Sequence, residues 1–458
     1  MEDFAFSDHF FRFLDQLVSI VKDKRTKARL REMAVAVIAA ANPKTLTKVI
    51  EYNKDYGDLD LNHEDWTSTY RALSEGQWSL NDLSYALLDM ALEFVEDADV
   101  LMVAVDDTLL RKTGRCIPGC SYARDPLSPP FQTNLIWGER TLCVSVIICA
   151  SSLSSYRAIP LFFQATPSVK IPSKASKAER ATAKEAKKKS RMSVVGRELV
   201  NEIRRRLDSI GLEKKKLVVC GDGSFANRAF MENPPHDTAI ICRCRNDLRL
   251  FESLPLAERT GKRLYGKRLQ TPAELYADPT VPTKRMECGV DHQHASIDYK
   301  VMENVRWTTA LKNQPCTVAV IKGQHYYKYG RRQTTKPAFL VMTGDVTALK
   351  RGGIALQTMI KAYLLRWEIE VGFRDQKNGL GIGKAQVWNE TSVKRTPAFM
   401  SACYSILLMA SMKAFGDRRT DAFRKLPKWR RIAPKRPSIR DLVDLLRREI
   451  QARRKTVA

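Results

Sequence analysis

Two aspartates stand directly after hydrophobic segments that are typical of buried strands. Asp106 follows residues 100–105 in the sequence Asp-Asp-Thr, and Asp222 follows residues 216–221. A carboxylate at the edge of a hydrophobic core is unfavourable unless its charge is compensated. A shared divalent cation would compensate both charges, and Mg²⁺ prefers such hard oxygen ligands and suits phosphodiester chemistry. Each aspartate alone could instead cap a turn or the helix that follows.

A third group of polar residues lies in residues 355–377, which the spacing predicts to be one long helix ended by Asn378-Gly379. Its spacing is Tyr-x2-Arg-x3-Glu-x6-Lys, formed by Tyr363, Arg366, Glu370 and Lys377. On one helix these four would fall within about 60° of each other, and Arg374 joins them. A carboxylate among cations suits both metal binding and contact with DNA phosphates. The alternative is a solvated face with ordinary ion pairs.

The segment 363–377, YLLRWEIEVGFRDQK, resembles the catalytic helix of insertion-sequence transposases of the DDE superfamily. The resemblance is to the group with a Tyr-Arg-Glu-Lys signature, and all four signature positions match at the family spacing. Trp367 after the arginine is also typical. The two aspartates match less specifically but lie in the family order. The resemblance covers about residues 100–415 and is looser in the tail.

The resemblance implies a metal-dependent enzyme that cuts the ends of a mobile element and joins them to a target. Asp106, Asp222 and Glu370 would be the catalytic residues and would hold two Mg²⁺ ions, for which Mn²⁺ can substitute. Movement would be cut-and-paste, through a hairpin DNA intermediate. Asp107 adjoins Asp106, and because successive strand residues point to opposite faces, only one can face the metals. The Asp-x-Thr form favours Asp106.

The resemblance also implies DNA contacts beside the cleaved end. Tyr363, Arg366 and Lys377 would bind phosphates, with Arg374 on the same stripe. In such enzymes a tryptophan of the insertion stacks on a flipped base, and Trp307 is the tryptophan at that location here. No motif supports this role for Trp307, and a buried strand tryptophan is the alternative.

The charge of the chain favours a polyanionic partner. The formal net charge is +26, and residues 1–100 hold 11 Lys/Arg against 19 Asp/Glu, so residues 101–458 carry +34. Neutralising phosphates releases counterions, which makes nucleic acid the first candidate. The alternatives are a merely basic protein and a general RNA binder, although the aromatic and glycine patterns of common RNA-binding modules are missing.

The order of elements predicts an α/β fold: a ribonuclease H-like mixed sheet with flanking helices. Residues 167–193 are predicted to be an exposed basic loop leading into a helix. The predicted segments are a helical N-terminal domain for DNA-end binding or dimerisation (1–98), a first core part (99–245), a β-rich insertion before the catalytic helix (246–335), a second core part (336–415) and a basic helical tail (416–458).

The expected partner is double-stranded DNA, namely the terminal inverted repeats of the element and the target, bound by a homodimer assembled on that DNA. No secretory signal or membrane-spanning run is visible, and the scattered cysteines fit a reducing cytosol. We therefore expect a cytoplasmic, prokaryotic protein without a membrane partner. Two rival hypotheses are a nuclease of the same fold that does not transpose and a domesticated DNA-binding protein.

Overall fold

The computed structural model describes residues 4–40, 44–56, 66–95, 100–125, 128–129, 131–150, 155–169, 174–260, 265–290, 293–311, 314–328, 331–344, 354–430 and 434–457, with the side chains of 54–56, 256, 288–290, 293–295, 326–328 and 455–457 excepted. The chain forms two compact units. The first comprises Met1–Glu96, Asp107–Ser190 and Glu368–Ala458; the second comprises Asp97–Asp106 and Arg191–Trp367.

Helices form the start of the first unit, as the apolar spacing predicted. They are α1 (Ala5–Val18), α2 (Lys24–Ala39), α3 (Leu46–Tyr56), α4 (Trp66–Ser74) and α5 (Leu80–Leu92). Side-chain caps define two of their starts: Asp23 accepts a hydrogen bond from the Thr26 N–H, and Ser79 accepts one from the Asp82 N–H.

One long apolar helix forms the core of the first unit. Helix α12 (Glu390–Phe415) packs against α1, α4 and α5. Among the described residues it is the one helix long and apolar enough to cross a membrane, but 83% of its most apolar window is buried inside the protein. Burial on this scale identifies a core helix. The remaining helices of this unit are α6 (Lys177–Lys189), α11 (Trp367–Gly379) and α13 (Ile439–Val457).

The first unit contains the end of β1 (Val100–Arg111). It also contains three further strands, β2 (Ser121–Arg124), β3 (Leu135–Ala150) and β4 (Ser155–Ala165). Strand β3 pairs antiparallel with β2 and β4. Gly138 of β3 lies so close to β1 that an added Cβ would be 2.4 Å from the Leu110 carbonyl oxygen. A glycine is therefore required where β3 passes the end of β1.

A buried ion pair links β4 to the residues after α12. The Arg157 Nη2 lies 2.8 Å from the Asp417 Oδ1, and both side chains are almost fully buried. The Ser155 hydroxyl donates to the same carboxylate at 2.6 Å, and Arg157 also donates to the Pro437 carbonyl oxygen. These hydrogen bonds compensate the burial of both charges.

The second unit is built on a mixed sheet in which the first part of β1 pairs in parallel with β5 (Lys216–Gly221), and β5 pairs in parallel with β6 (Thr238–Arg243). Antiparallel strands continue the sheet in the order β14, β11, β10, β7, β8, with β9 paired to β10. Their bounds are β7 (Phe251–Ser253), β8 (Tyr265–Arg268), β9 (Lys284–Val290), β10 (Gln293–Arg306), β11 (Cys316–Ile321) and β14 (Ala338–Thr343), and a separate hairpin is formed by β12 (His325–Lys328) and β13 (Arg331–Thr334).

Helix α10 (Leu356–Leu365) packs on this sheet, where Met359, Ile360 and Ala362 join a core of strand residues. The other helices of the second unit are α7 (Met192–Ser209), α8 (Arg228–Met231), α9 (Pro272–Ala277) and a 3-10 turn (Leu256–Glu258). The strands predicted as an insertion join the same sheet as β6 and β14. The mixed α/β arrangement is consistent with the predicted ribonuclease H-like core.

Candidate functional site

The two candidate aspartates begin side by side at one edge of the sheet in the second unit. The parallel register of β1 and β5 ends with Val105 opposite Gly221, so Asp106 and Asp222 are the next residues on the two strands. Neighbouring strands lie about 4.8 Å apart. The two carboxylates therefore originate from adjacent backbone positions. The prediction that Asp106 ends a strand is wrong, because β1 continues through it to Arg111.

A tight turn after β5 orients Asp222. Its Oδ1 accepts hydrogen bonds from the Ser224 N–H at 2.8 Å and the Ser224 hydroxyl at 2.6 Å. Behind the turn, Phe225 is fully buried, and a Cβ added at Gly221 would lie 2.8 Å from the Phe225 Cβ. The small residue before Asp222 thus lets the turn pack closely against the strand.

Asp106 forms an ion pair with a residue that was predicted to contact DNA. The Arg366 Nη1 lies 2.7 Å from the Asp106 Oδ2, and the two side chains are 13% and 14% exposed. The guanidinium lies 6.0 Å from the centroid of the Tyr363 ring. Tyr363 packs against the core of the second unit, and burial raises the pKa of its hydroxyl. These side chains and both aspartates belong to the same unit.

Asp107, the neighbour of Asp106, has a different partner in the first unit. Its carboxylate accepts hydrogen bonds from the Arg140 Nε at 2.7 Å and the Arg140 Nη2 at 3.3 Å. Because side chains alternate along a strand, the two aspartates point to opposite faces of β1. Only one of them can therefore face a metal bound beside Asp222, and the choice of Asp106 stays a prediction.

The predicted single helix over residues 355–377 is wrong at its centre. The structure ends α10 at Leu365 and starts α11 at Trp367, with Arg366 between them. The Arg366 N–H is shared between the Ala362 and Tyr363 carbonyl oxygens, as is common at a helix end. No glycine or proline marks this position in the sequence. Tyr363 and Glu370 consequently lie on different helices, and the division between the units follows Trp367.

Helix α11 carries the remaining signature residues in the first unit. Of its two N-terminal acids, Glu368 is buried and accepts two hydrogen bonds from Arg436, each at 3.0 Å. Glu368 therefore has a structural role, and Glu370 in the same first turn is partly exposed. Arg374 is exposed.

Lys377 near the end of α11 lies among charged groups of the first unit. Burial lowers the pKa of its ammonium group, and the nearby Arg111 lowers the pKa further, whereas Asp107 opposes the shift. A half-buried lysine beside another cation favours the approach of an anion.

Trp307 directly follows β10 and is 7% exposed. Its carbonyl oxygen accepts hydrogen bonds from the N–H groups of Ala310 and Leu311. The ring would have to be uncovered before it could stack on a base. Its role as a base-stacking residue stays a prediction.

Asp106 and Asp222 would supply part of the set of ligands that a divalent cation requires. Asp106 and Asp222 offer hard oxygen ligands at one sheet edge, which is the chemistry that Mg²⁺ prefers. Among the described residues, no group of three or more His, Cys, Asp or Glu side chains is arranged to hold a metal ion. The role of Asp106 and Asp222 as metal ligands stays a prediction.

The first unit contains a buried carboxyl group that sequence patterns did not indicate. Glu139 on β3 is 1% exposed, and its Oε2 has no hydrogen-bond partner among the described residues. Burial raises the pKa of Glu139 to about 7, and the nearby Lys112 and Lys394 only partly oppose this. Its signal in the sequence is weak, because Gly138-Glu139 is typical of a turn, whereas both residues lie inside β3.

Comparison with known proteins gives one family match. The family described as DDE superfamily endonuclease matches residues 21–314, which is more than half of the chain. The matched part includes Asp106 and Asp222 and ends before Glu370. A search of curated proteins found no match.

Proposed function

The chain belongs to the DDE superfamily of endonucleases, and on this basis we propose that it is a DNA transposase of the Tyr-Arg-Glu-Lys group. The proposal is supported above all by Asp106 and Asp222, which follow paired positions of two parallel strands inside the matched region. The enzyme cuts an insertion sequence from DNA and joins it to a target, through a hairpin intermediate. It works as a homodimer on the terminal inverted repeats, in the cytoplasm of a prokaryote.

Asp106, Asp222 and Glu370 would hold two Mg²⁺ ions. When bound, such ions activate a water or hydroxyl nucleophile and stabilise charge on the leaving oxygen. Asp222 is suited to this role because both hydrogen bonds from Ser224 go to its Oδ1 and fix the orientation of the carboxylate. Glu370 lies outside the matched region, so its role depends on the signature alone.

The cations of the signature would position the DNA. Arg366 donates to the Asp106 carboxylate at 2.7 Å, and its planar guanidinium can donate equally well to phosphate oxygens. Lys377 adds a second cation, and Tyr363 adds a hydroxyl. Arg374 is exposed for contact with more distant phosphates. Together these groups would hold the strand end for the joining step.

The ion pair between Arg366 and Asp106 favours a second candidate function. With Asp106 engaged by an arginine, the same fold could bind DNA without cutting it, as a domesticated transposase would. Cleavage assays separate the two candidates. DNA bearing the inverted repeats that flank the gene is incubated with Mg²⁺ and a target plasmid, and nicks, hairpins and joined products are resolved on denaturing gels.

Wild-type protein is expected to produce all three products. The Asp222→Asn and Glu370→Gln variants should bind the same DNA but yield no nicked, hairpin or joined product. Each substitution removes the negative charge of one carboxylate ligand and keeps the shape of the side chain. Asp107→Asn is the matched control and should retain cleavage. Binding without any product from the wild-type protein would support the non-cleaving candidate, and nicking without joining would support a nuclease that does not transpose.

A further inference from the structure

Helix α6 of the first unit buries none of its residues. It lies within residues 167–193, which were predicted to be a loop, so that prediction is wrong for Lys177–Lys189. Its sequence, KAERATAKEAKKK, contains six Lys or Arg and two Glu. The helix starts at a capping box, in which the Ser176 hydroxyl accepts from the Glu179 N–H and the Glu179 carboxylate accepts from the Ser176 N–H.

The cations of α6 are concentrated on one side. At about 100° per residue, five of them fall within an arc of about 100°. We name this set the cationic face, and its members are Lys177, Arg180, Lys184, Lys187 and Lys188. Both acids, Glu179 and Glu185, fall outside the arc, and all five cations are exposed. The positive charge of the helix is therefore concentrated on one side, and no side of the helix is apolar.

Helix stability does not explain the cationic face. Like charges at i and i+4, as in Arg180 with Lys184 and Lys184 with Lys188, destabilise a helix. A helix of 13 residues is marginal in water unless it packs an apolar side against the protein, and α6 has none. A polyanion bound along this side would turn the repulsion into net attraction.

We propose that the cationic face binds the phosphate backbone of duplex DNA, as a contact separate from the catalytic residues. The face extends about 16 Å along the helix. Duplex DNA carries one phosphate per about 1.7 Å of its axis, and its major groove, about 12 Å wide, accepts an α-helix. Duplex RNA fits less well, because its major groove is deep and narrow. The choice of DNA rests on the proposed function.

Two variants of the full-length chain test this contact, with DNA binding measured as a function of salt in the presence of a chelator. The first, the neutralised variant, removes four of the five charges of the face and carries Arg180→Gln, Lys184→Gln, Lys187→Gln and Lys188→Gln. The second keeps the net charge and composition but disperses the cations around the helix, and carries Ala181→Lys, Ala183→Lys, Ala186→Lys, Lys184→Ala, Lys187→Ala and Lys188→Ala.

Each lost phosphate contact lowers the slope of log affinity against log salt by about 0.9. The neutralised variant should therefore lose about 3 to 4 from the slope, and the dispersed variant about 2 to 3. Both should unfold at the wild-type urea midpoint, because α6 buries nothing. A dispersed variant with the wild-type slope would show that only net charge matters and would overturn the proposal.

The result also separates this proposal from the proposed function. Wild-type protein that fails to bind DNA would refute both, whereas steep salt dependence with equal slopes for all three proteins would refute the cationic face alone. Duplex RNA and vesicles of phosphatidylcholine with phosphatidylserine serve as competing partners. If the neutralised variant loses affinity for either of these more than for duplex DNA, the assignment to DNA is overturned.

Discussion

The ion pair between Asp106 and Arg366 gives the sharpest test of the candidate site. Asp106→Asn keeps the shape of the side chain and removes its charge, so the Arg366 guanidinium loses a charge-assisted hydrogen bond of 2.7 Å. Such bonds contribute about 1.5–3 kcal/mol, and breaking a fully buried pair costs about 3–5 kcal/mol. Because both side chains keep some exposure, at 13% and 14%, we expect the free energy of unfolding to fall by about 2–3 kcal/mol.

Urea unfolding of the full-length protein measures this loss. The double variant Asp106→Asn with Arg366→Gln should recover part of the stability, with a coupling energy of about 1–3 kcal/mol. Asp107→Asn is the matched control, because its partner Arg140 is 48% exposed and a surface pair contributes about 0–1 kcal/mol. A coupling energy near zero, or equal losses for the two aspartates, would refute the inferred pair.

The same two variants test the catalytic assignment. Asp106→Asn should abolish strand cleavage while DNA binding persists, and Asp107→Asn should cleave. Cleavage by Asp106→Asn at the wild-type rate would remove Asp106 from the catalytic set even if its pairing with Arg366 is confirmed by the coupling energy. The reverse pattern would identify Asp107 as the first catalytic acid.

Three further predictions concern the first unit. Burial raises the pKa of Glu139 from 4.5 to about 7, so the folded state binds more protons than the unfolded state between these pH values. The free energy of unfolding should therefore fall as pH rises from about 4.5 to 7. In a pH series of urea midpoints, Glu139→Gln should flatten this part of the profile, and an unchanged profile would contradict the raised pKa. Lys377→Ala should slow hairpin formation and strand joining more than the first nick, measured step by step on intact and pre-cleaved ends, and uniform wild-type rates would argue against phosphate contact. Asp417→Asn should lower the free energy of unfolding by about 3–5 kcal/mol, because Arg157 is left buried without its anion. A loss below about 1 kcal/mol, measured by urea unfolding, would show that the pair is not formed.

Local patterns were sufficient to predict the strands that carry the two aspartates. Residues 100–105 and 216–221 have the pattern of buried strands, and both are confirmed, as the first part of β1 and as β5. A short run of apolar residues that ends in a lone aspartate is a local signal, because burial of the run and exposure of the acid are both set within a few residues.

The break between α10 and α11 was not predictable from local sequence. Residues 355–377 keep helical spacing throughout and contain no proline, and Gly372 lies well after the break. The helix ends where Arg366 pairs with Asp106, a residue 260 positions earlier in the chain. Contacts over such distances depend on the whole chain path, which hydrophobic periodicity does not encode.

By itself, the sequence determined the chemical types at the candidate site: two aspartates that follow apolar segments, a glutamate and cations at signature spacing. The tertiary structure alone decided which charges meet. It directs Asp106 to Arg366 and Asp107 to Arg140, and it engages Glu368 with Arg436. The physical reason is that residue type and helical or strand periodicity are local properties, whereas an ion pair forms only where folding brings distant side chains within a few ångströms in a partly dehydrated environment.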